Sequence, residues 1–161
     1  MQTFLPSMVY EYSAQSLDNK RLNKQILEGY QILKVLSGAS ESGAWRNHPA
    51  VLMWEGSESH LMDYIDNMVY EANWRGIKTD KNVANLKDLK RKFGSSWGES
   101  EPSWMLDVDK RNRVITTHQA NLFKKDPMFY ARYAPSVNSE FNKPCCDGCN
   151  YYWPTHPRKK K

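Results

Sequence analysis

The amino-acid sequence predicts an all-α fold: a single compact helical bundle with long loops and an irregular C-terminal segment. Apolar side chains recur at helical spacing in several stretches, while no alternating strand pattern lasts more than a few residues. The 161 residues are enough to bury a hydrophobic core, and six Trp and nine Tyr argue against disorder. We expect a helical domain over residues 1–135 and an irregular wrap over residues 136–161.

The first long helix is expected to follow a short extended segment, residues 1–12. Ser13 or Ser16 can cap its first turn, and the helix should continue to about Leu36, with Gly38 ending it. A helix of this length can present a core-facing stripe and a separate polar face.

Residues 17–31 of this helix carry the most informative pattern in the chain. One arc holds the polar side chains Asp18, Arg21, Lys24, Gln25, Glu28 and Gln31. A neighbouring arc holds the core-facing side chains Leu22, Ile26, Tyr30 and Leu33. The polar arc turns apolar at Ile32 and Val35, which a face fully open to water has no reason to do. We therefore expect the polar arc to line the edge of a cleft.

Four further helices are predicted, separated by loops at residues 37–44 and 94–102. They should cover residues 49 to about 74, 82–93, about 107–124 and 127–133. Pro49 suits the first turn of the second helix, Gly76 breaks the chain after it, and Asp126 can cap the last helix.

The charge of the chain is concentrated in local stripes. Residues 158–161 supply +4 of the net charge of +5, so the rest of the chain is almost neutral. Residues 78–92 and 109–125 are locally basic, which fits a protein that grips phosphates, but equally fits ordinary solvated helix faces. No apolar run could cross a membrane and no signal peptide follows Met1, so we expect a soluble, cytoplasmic monomer without membrane contact.

Glu28 is the first candidate for chemistry. A partly buried carboxylate beside Arg21 and Lys24 can act as a general acid or base, or stabilise a developing cation. The alternative is an ordinary exposed ion pair between Lys24 and Glu28. The helix pattern alone does not decide between them.

Residues 45–49, Trp-Arg-Asn-His-Pro, are the second candidate. Hydrogen-bonding and stacking side chains stand here at the mouth of a helix, where backbone N–H groups favour phosphate. The alternative is a structural cap, with Trp45 packed on the core and His48 bonded to the backbone.

A third candidate lies on the helix predicted to end near residue 124. His118, Asn121 and Lys125 fall on one side of it, opposite Ile115 and Leu122. This side suits phosphate contacts, and it equally suits an ordinary amphipathic helix.

The three cysteines occupy one cluster, Cys145, Cys146 and Cys149. An odd number in one cluster fits a reducing compartment better than a secreted disulfide framework. Cys146, Cys149 and His156 are candidate zinc ligands, but adjacent cysteines rarely both serve one ion. We favour a structural role or free thiols, and predict no metal and no other cofactor.

Four segments carry a family resemblance through their order and spacing. They are residues 1–6 (Met-Gln-Thr-Phe-Leu-Pro); Leu17-Asp18-x-x-x-Leu22 followed by Glu28; residues 45–49; and His118-x-x-Asn121-Leu122-x-x-Lys125-x-Pro127-x-x-Tyr130. Together they resemble the phage-type pyrimidine dimer DNA glycosylases, also called endonuclease V of the phage type, and their bacterial relatives. The similarity spans most of residues 1–133.

The resemblance implies a DNA-repair glycosylase with AP-lyase (endonuclease) activity, acting on double-stranded DNA. The α-amine of the first residue, here Met1, attacks the sugar C1′, expels the base and forms an imine, after which β-elimination cuts the strand. Glu28 aligns with the family's catalytic carboxylate. The residues expected to bind DNA are Arg21, Lys24, Gln25, Arg46, Asn47, His48, His118, Asn121 and Lys125.

Two positions differ from the family's pattern. Gln2 is too large for ordinary methionine removal, so Met1 should stay and supply the amine. Leu27 stands where the phage enzymes have arginine, which leaves open a damaged or modified base other than a pyrimidine dimer. Two other functions stay open: a non-catalytic nucleic-acid-binding module and a protein-interaction domain.

Overall fold

The computed structural model describes residues 1–155, and it confirms the all-α prediction, because this part of the chain contains no strand. Within it the α-helices are α1 (Tyr10–Ser16), α2 (Asn19–Leu36), α3 (Pro49–Leu52), α4 (Glu58–Trp74), α5 (Asp80–Phe93), α6 (Ser103–Leu106) and α7 (Val108–Lys125). Two 3₁₀ helices cover Gly94–Ser96 and Ala131–Asn138. No helix in the described part is both long and apolar enough to span a membrane.

The predicted first helix is in fact two helices. α1 ends at Ser16, and Leu17 has extended backbone. Asp18 caps α2, since its Oδ1 accepts a hydrogen bond from the Arg21 backbone N–H at 3.0 Å. The predicted cap Ser13 instead donates its hydroxyl to a backbone carbonyl, so a better cap five residues later starts the long helix.

The predicted second helix is also divided. Pro49 occupies the first turn of α3, as expected. Gly56 then takes a φ of 79°, a left-handed conformation that favours glycine and ends this stretch before α4. The carboxylate of Glu58 accepts hydrogen bonds from the backbone N–H groups of Gly56 (3.0 Å) and Gly98 (2.7 Å), which ties two loops to the start of α4.

Later elements follow the predictions in part. α5 and α7 confirm the predicted helices within two residues, while the short helix α6 was not predicted. The predicted helix over residues 127–133 is wrong. Asp126 instead closes a turn, with its Oδ1 accepting from the Phe129 N–H at 3.0 Å, and the 3₁₀ helix Ala131–Asn138 follows.

The core lies mainly between α2 and α4. The predicted core stripe of α2 is confirmed at Leu22, Ile26 and Leu33, which are fully buried, while Tyr30 is half-buried. These side chains pack with fully buried residues of α4, among them Ile65. The core arrangement places the polar arc of α2 beside the start of the chain.

Residues 139–155 contain no helix or strand and run along α7. The Tyr152 N–H donates to the Thr117 hydroxyl (3.1 Å), and the Arg113 guanidinium lies 3.9 Å from the centre of the Tyr152 ring. The boundary predicted at residue 135 stays a prediction, and a 3₁₀ helix crosses it. His156 and the basic tail at 158–161 lie outside the described residues.

We expect Gly29→Ala to destabilise the bundle. A Cβ at this position would lie 2.6 Å from Ile65 Cγ1 and 2.9 Å from Cδ1. Overpacking of about 1–3 kcal/mol should outweigh the gain in helix propensity of about 1 kcal/mol. Urea unfolding measures the change, with exposed Gln31→Ala on the same helix as the control.

The double variant Gly29→Ala/Ile65→Ala tests the cause. It removes the atoms that clash, so its loss in free energy of unfolding should be smaller than the sum of the single losses by about 1 kcal/mol or more. If the two losses are strictly additive, the destabilisation by Gly29→Ala does not come from a clash with Ile65 on α4.

Candidate active site

The start of the chain is held inside the bundle by side chains of α2 and α4. The Gln2 backbone N–H donates to Oε2 of Glu28 at 3.0 Å, and the Phe4 N–H donates to Oε1 of Gln25 at 2.8 Å. The Tyr64 hydroxyl lies 2.8 Å from both the Phe4 carbonyl oxygen and Gln25 Oε1. Side chains thus satisfy a buried segment that has no strand partner.

His118 holds the same segment from α7. The Leu5 N–H donates to His118 Nδ1 at 2.8 Å, so the neutral ring carries its proton on Nε2. Burial lowers the pKa of His118 to about 3. His118 is therefore a neutral acceptor in the core, and its predicted contact with DNA phosphates is wrong because the ring is fully buried.

Asn121 is likewise in the interior. Its side-chain amide donates to the Thr117 carbonyl at 2.8 Å and to the Asn150 carbonyl, so it joins α7 to the C-terminal segment. The face predicted for DNA on this helix is thus directed inward at His118 and Asn121. Only Lys125, at the exposed end of α7, remains available from that set.

A cleft of about 400 Å³ opens beside the buried first segment. Its lining consists of Met1, Gln2, Phe4, Lys20, Arg21, Lys24, Gln25, Glu28, Lys125 and Tyr151. The two predicted catalytic residues therefore share one cavity with four of the predicted DNA contacts. Lysine and arginine side chains make this cavity locally positive although the described chain is almost neutral.

Glu28 is the carboxylate of this cleft. Only 9% of the residue is exposed, and its Oε2 accepts the Gln2 N–H. Its Oε1 lies 3.5 Å from Nζ of Lys24, whose side chain is 64% exposed. Glu28 is thus a buried acceptor that meets a solvent-facing cation, which is a different situation from an exposed surface ion pair.

The α-amino group of Met1 is close to Glu28 for a covalent reason. Three bonds separate it from the Gln2 nitrogen that contacts Glu28, which places the amine within about 7 Å of Oε2. Burial, and secondly the positive charge of this amine, lower the pKa of His48. The amine is therefore near the Glu28 carboxylate and close enough to His48 for its charge to act on that ring.

Arg21 is held firmly at the rim of the cleft. Its NH1 lies 2.7 Å from Asp18 Oδ2, which also accepts the Tyr130 hydroxyl at 2.6 Å. Although burial acts to raise it, hydrogen bonds from Tyr130 and Arg21 keep the pKa of Asp18 below its usual value. The paired carboxylate fixes Arg21 without removing it from the cleft.

Gln25 is a buried residue that holds the other residues of the site in position. It is only 1% exposed, and its amide group contacts Phe4, Tyr64 and Glu28. The polar atoms of Gln25 are therefore engaged by the buried start of the chain, and its contact with DNA stays a prediction.

Residues 45–49 have features of both predicted alternatives, a structural cap and a group of exposed binding side chains. His48 Nδ1 accepts from the Ala50 N–H at 3.1 Å, as a structural cap does, and α3 is too short to offer phosphate a helix terminus. Trp45, however, is 49% exposed. With Met1 it lines a second cavity of about 400 Å³. Arg46 and Asn47 are exposed on the turn before α3.

A family model described as pyrimidine dimer DNA glycosylase matches residues 1–85, which is more than half of the chain. The chain belongs to the pyrimidine dimer DNA glycosylase family. The matched part of the chain includes Met1, Glu28 and His48, and the name of the family gives DNA as its substrate. No curated protein and no solved structure matches the chain in the same comparisons.

Four residues of the cleft lining were not predicted as site residues: Gln2, Phe4, Lys20 and Tyr151. The Tyr151 ring packs edge-on against His118, with centroids 5.5 Å apart, and contacts Phe4. Burial raises the pKa of Tyr151, although a hydrogen bond with the Gln2 side chain acts to lower it, so its hydroxyl stays protonated. Three consecutive aromatic residues at 151–153 indicate that this segment packs against the protein. Nothing in their pattern predicts a contact with the first residues of the chain.

The cysteine cluster lies outside the cleft lining given above. The Sγ atoms of Cys146 and Cys149 are bonded as a disulfide, and Cys145 is unpaired. All three sulfurs lie within 4.8 Å of one another. His156, the remaining predicted zinc ligand, is outside the described residues.

The buried His118 should make the stability of the folded protein sensitive to acid. The unfolded chain takes up a proton near pH 6.5, whereas the native ring resists it down to about pH 3. His118 therefore contributes to the free energy of unfolding above pH 6.5. Below that pH the contribution falls by about 1.4 kcal/mol for each pH unit.

Urea unfolding between pH 7 and 4 checks this expectation. His118→Asn keeps an acceptor for Leu5 and should flatten the decline relative to the wild type. His60→Gln, at a half-buried histidine, serves as the control. Parallel curves for the wild type and His118→Asn would contradict the assignment.

Proposed function

We propose that this member of the family is a DNA glycosylase with AP-lyase activity that removes a damaged or modified pyrimidine from double-stranded DNA. One observation carries the proposal. The hydrogen bond from the Gln2 N–H to Glu28 holds the α-amine of Met1 beside a buried carboxylate, in a cleft lined by cationic side chains.

The α-amine of Met1 is the proposed nucleophile. An α-amine has a pKa near 8 against about 10.4 for lysine, so a useful fraction is unprotonated at neutral pH. It attacks C1′ of the deoxyribose and breaks the bond to the base, which departs as the leaving group. The attacking nitrogen loses a proton, and the C1′–O4′ bond then breaks with a proton going to O4′, which opens the sugar ring and leaves an imine at C1′. β-elimination follows, in which a proton leaves C2′ and the C3′–O bond breaks.

Glu28 is the proposed acid–base group. Its carboxylate stabilises positive charge on the sugar as the base departs, and it then moves protons during imine formation and elimination. The hydrogen bond to Oε2 orients the group, while Oε1 lies 3.5 Å from Nζ of the solvent-exposed Lys24. The negative charge therefore belongs to the cleft in which the sugar cation is proposed to form.

The basic rim is proposed to hold phosphates. Lys20, Arg21, Lys24 and Lys125 come from the start of α2 and the end of α7, so they surround the cleft from two elements. Phosphates on either side of the target nucleotide could contact the two elements together. This arrangement supports a bound DNA strand that crosses the cleft over Met1.

The second cavity is proposed to receive a nucleotide that leaves the base stack. Met1 lines both this cavity and the catalytic cleft, and the half-exposed Trp45 offers a ring for stacking. An enzyme that attacks C1′ within a duplex must open the stack to reach its atom. A second cavity that also contacts the residue of the nucleophile suits that requirement.

The lesion is proposed at the level of a damaged or modified pyrimidine, with the pyrimidine dimer as the first substrate to test. Leu27, which stands where phage enzymes have arginine, is 44% exposed beside Glu28. An apolar side chain at this position cannot make the ionic contact with the substrate that an arginine would make. The chemistry at Met1 and Glu28 does not need that arginine.

Borohydride trapping tests the chemistry. A chain whose Met1 amine is confirmed as unblocked by mass spectrometry should form a covalent adduct with an abasic-site duplex, because reduction fixes the imine. Glu28→Gln should slow strand cleavage by about 10²–10⁴-fold. The exposed Glu41→Gln is the matched control and should cleave as the wild type does. No adduct, or full activity of Glu28→Gln, would reject the mechanism.

Salt dependence tests the position of the DNA. Lys125→Ala should reduce the slope of log K against log salt by about 1, because one phosphate contact is lost. Lys87→Ala on α5 is the control, since that exposed lysine belongs to the basic stripe at residues 78–92. If Lys87→Ala reduced the slope and Lys125→Ala did not, a binding module that uses the stripe would replace the proposed enzyme.

A further inference from the structure

The three cysteine sulfurs form a cluster that the proposed reaction does not use. The Sγ atoms of Cys145, Cys146 and Cys149 lie within 4.8 Å of one another. In a tetrahedral zinc site with Zn–S bonds of about 2.3 Å, the sulfurs are about 3.8 Å apart. We propose that the reduced cluster binds one Zn²⁺ through these three thiolates, and that this ion is structural.

The backbone brings the sulfurs together from two directions. The Cys149 N–H donates to the Cys146 carbonyl at 3.1 Å, and Gly148 has a φ of 82°, so the chain turns tightly between these two cysteines. Cys145 comes from the other side of the turn, where its N–H faces the Tyr151 carbonyl at 3.5 Å. Adjacent cysteines rarely both serve one ion, but here the closed loop brings the sulfurs of Cys145 and Cys146 to the same point as that of Cys149.

Zinc and a disulfide are alternative uses of the same sulfurs. The disulfide between Cys146 and Cys149 forms when two thiols lose two electrons and two protons, and a thiol reductant restores them. A protein that acts on DNA works where thiols are kept reduced, a step that rests on the proposed function. From three thiols, binding one Zn²⁺ forms three Zn–S bonds and releases three protons.

The fourth coordination position is left for one further donor. The proposal itself needs only the three thiolates.

The zinc ion would stabilise the segment that completes the cleft. Upstream of the cluster, Arg113 donates to the Lys143 carbonyl at 2.9 Å. Downstream, Tyr152 is bound to Thr117, and Tyr151 lines the cleft. A metal between these two attachments closes the loop against α7 and so fixes the approach of Tyr151 to Met1.

Metal content of the full-length, untagged chain tests the proposal. Protein purified anaerobically with a phosphine reductant should hold about one zinc per chain by elemental analysis. Cobalt in place of zinc should give a thiolate-to-metal charge-transfer band. Cys145→Ser, Cys146→Ser and Cys149→Ser should each weaken zinc binding by at least about tenfold, as loss of even an outer-shell partner does. Exposed Glu140→Gln nearby is the control.

Two results would overturn the zinc site. One is a reduced chain that has helical circular dichroism and three reactive thiols, yet binds neither zinc nor cobalt. The other is a single reactive thiol in chains trapped directly from cells, which would show the Cys146–Cys149 disulfide instead. Metal content is measured without DNA, so it can be interpreted even if borohydride trapping fails. The trapping experiment can likewise be interpreted if no metal binds.

Discussion

The architecture depends on the cost of burying peptide groups. Residues 2–5 pass through the interior without a strand partner, and every buried N–H needs an acceptor there. Gln25, Glu28 and His118 supply acceptors from two helices, and Gln2 accepts from its neighbour Thr3 through its own side chain. The helices α2 and α7 are therefore positioned by polar bonds to the start of the chain as much as by apolar packing.

This constraint explains the mixed character of the polar arc on α2. Its inner members, Gln25 and Glu28, are buried against the first residues, whereas Lys24 reaches solvent. One helical face thus serves two purposes at once: it satisfies main-chain groups and it presents charge. A carboxylate held by a main-chain N–H on one oxygen and close to a solvent-exposed lysine on the other follows directly from that division.

Periodicity predicted the helices well and the breaks poorly. The core stripe of α2 was readable because it depends on neighbours three and four residues apart. The start of α2 was missed because Asp18 was assigned to the polar arc, although an aspartate there is also a strong cap. His118 was placed at the surface because its partner, Leu5, is 113 residues away, and local spacing carries no information about such a contact. The pairing of Met1 with Glu28 came from the family resemblance, since no pattern in either segment specifies their distance.

The long sequence separation of these contacts has a consequence for biosynthesis. Residues 2–5 are translated well before the ring that accepts the Leu5 N–H, which is 113 positions later, and Tyr151 follows after that. Domains generally fold as units once their chain is available. The buried segment is therefore synthesised long before the side chains that hold it, and the cavity around Met1 is complete only when Tyr151 has been made.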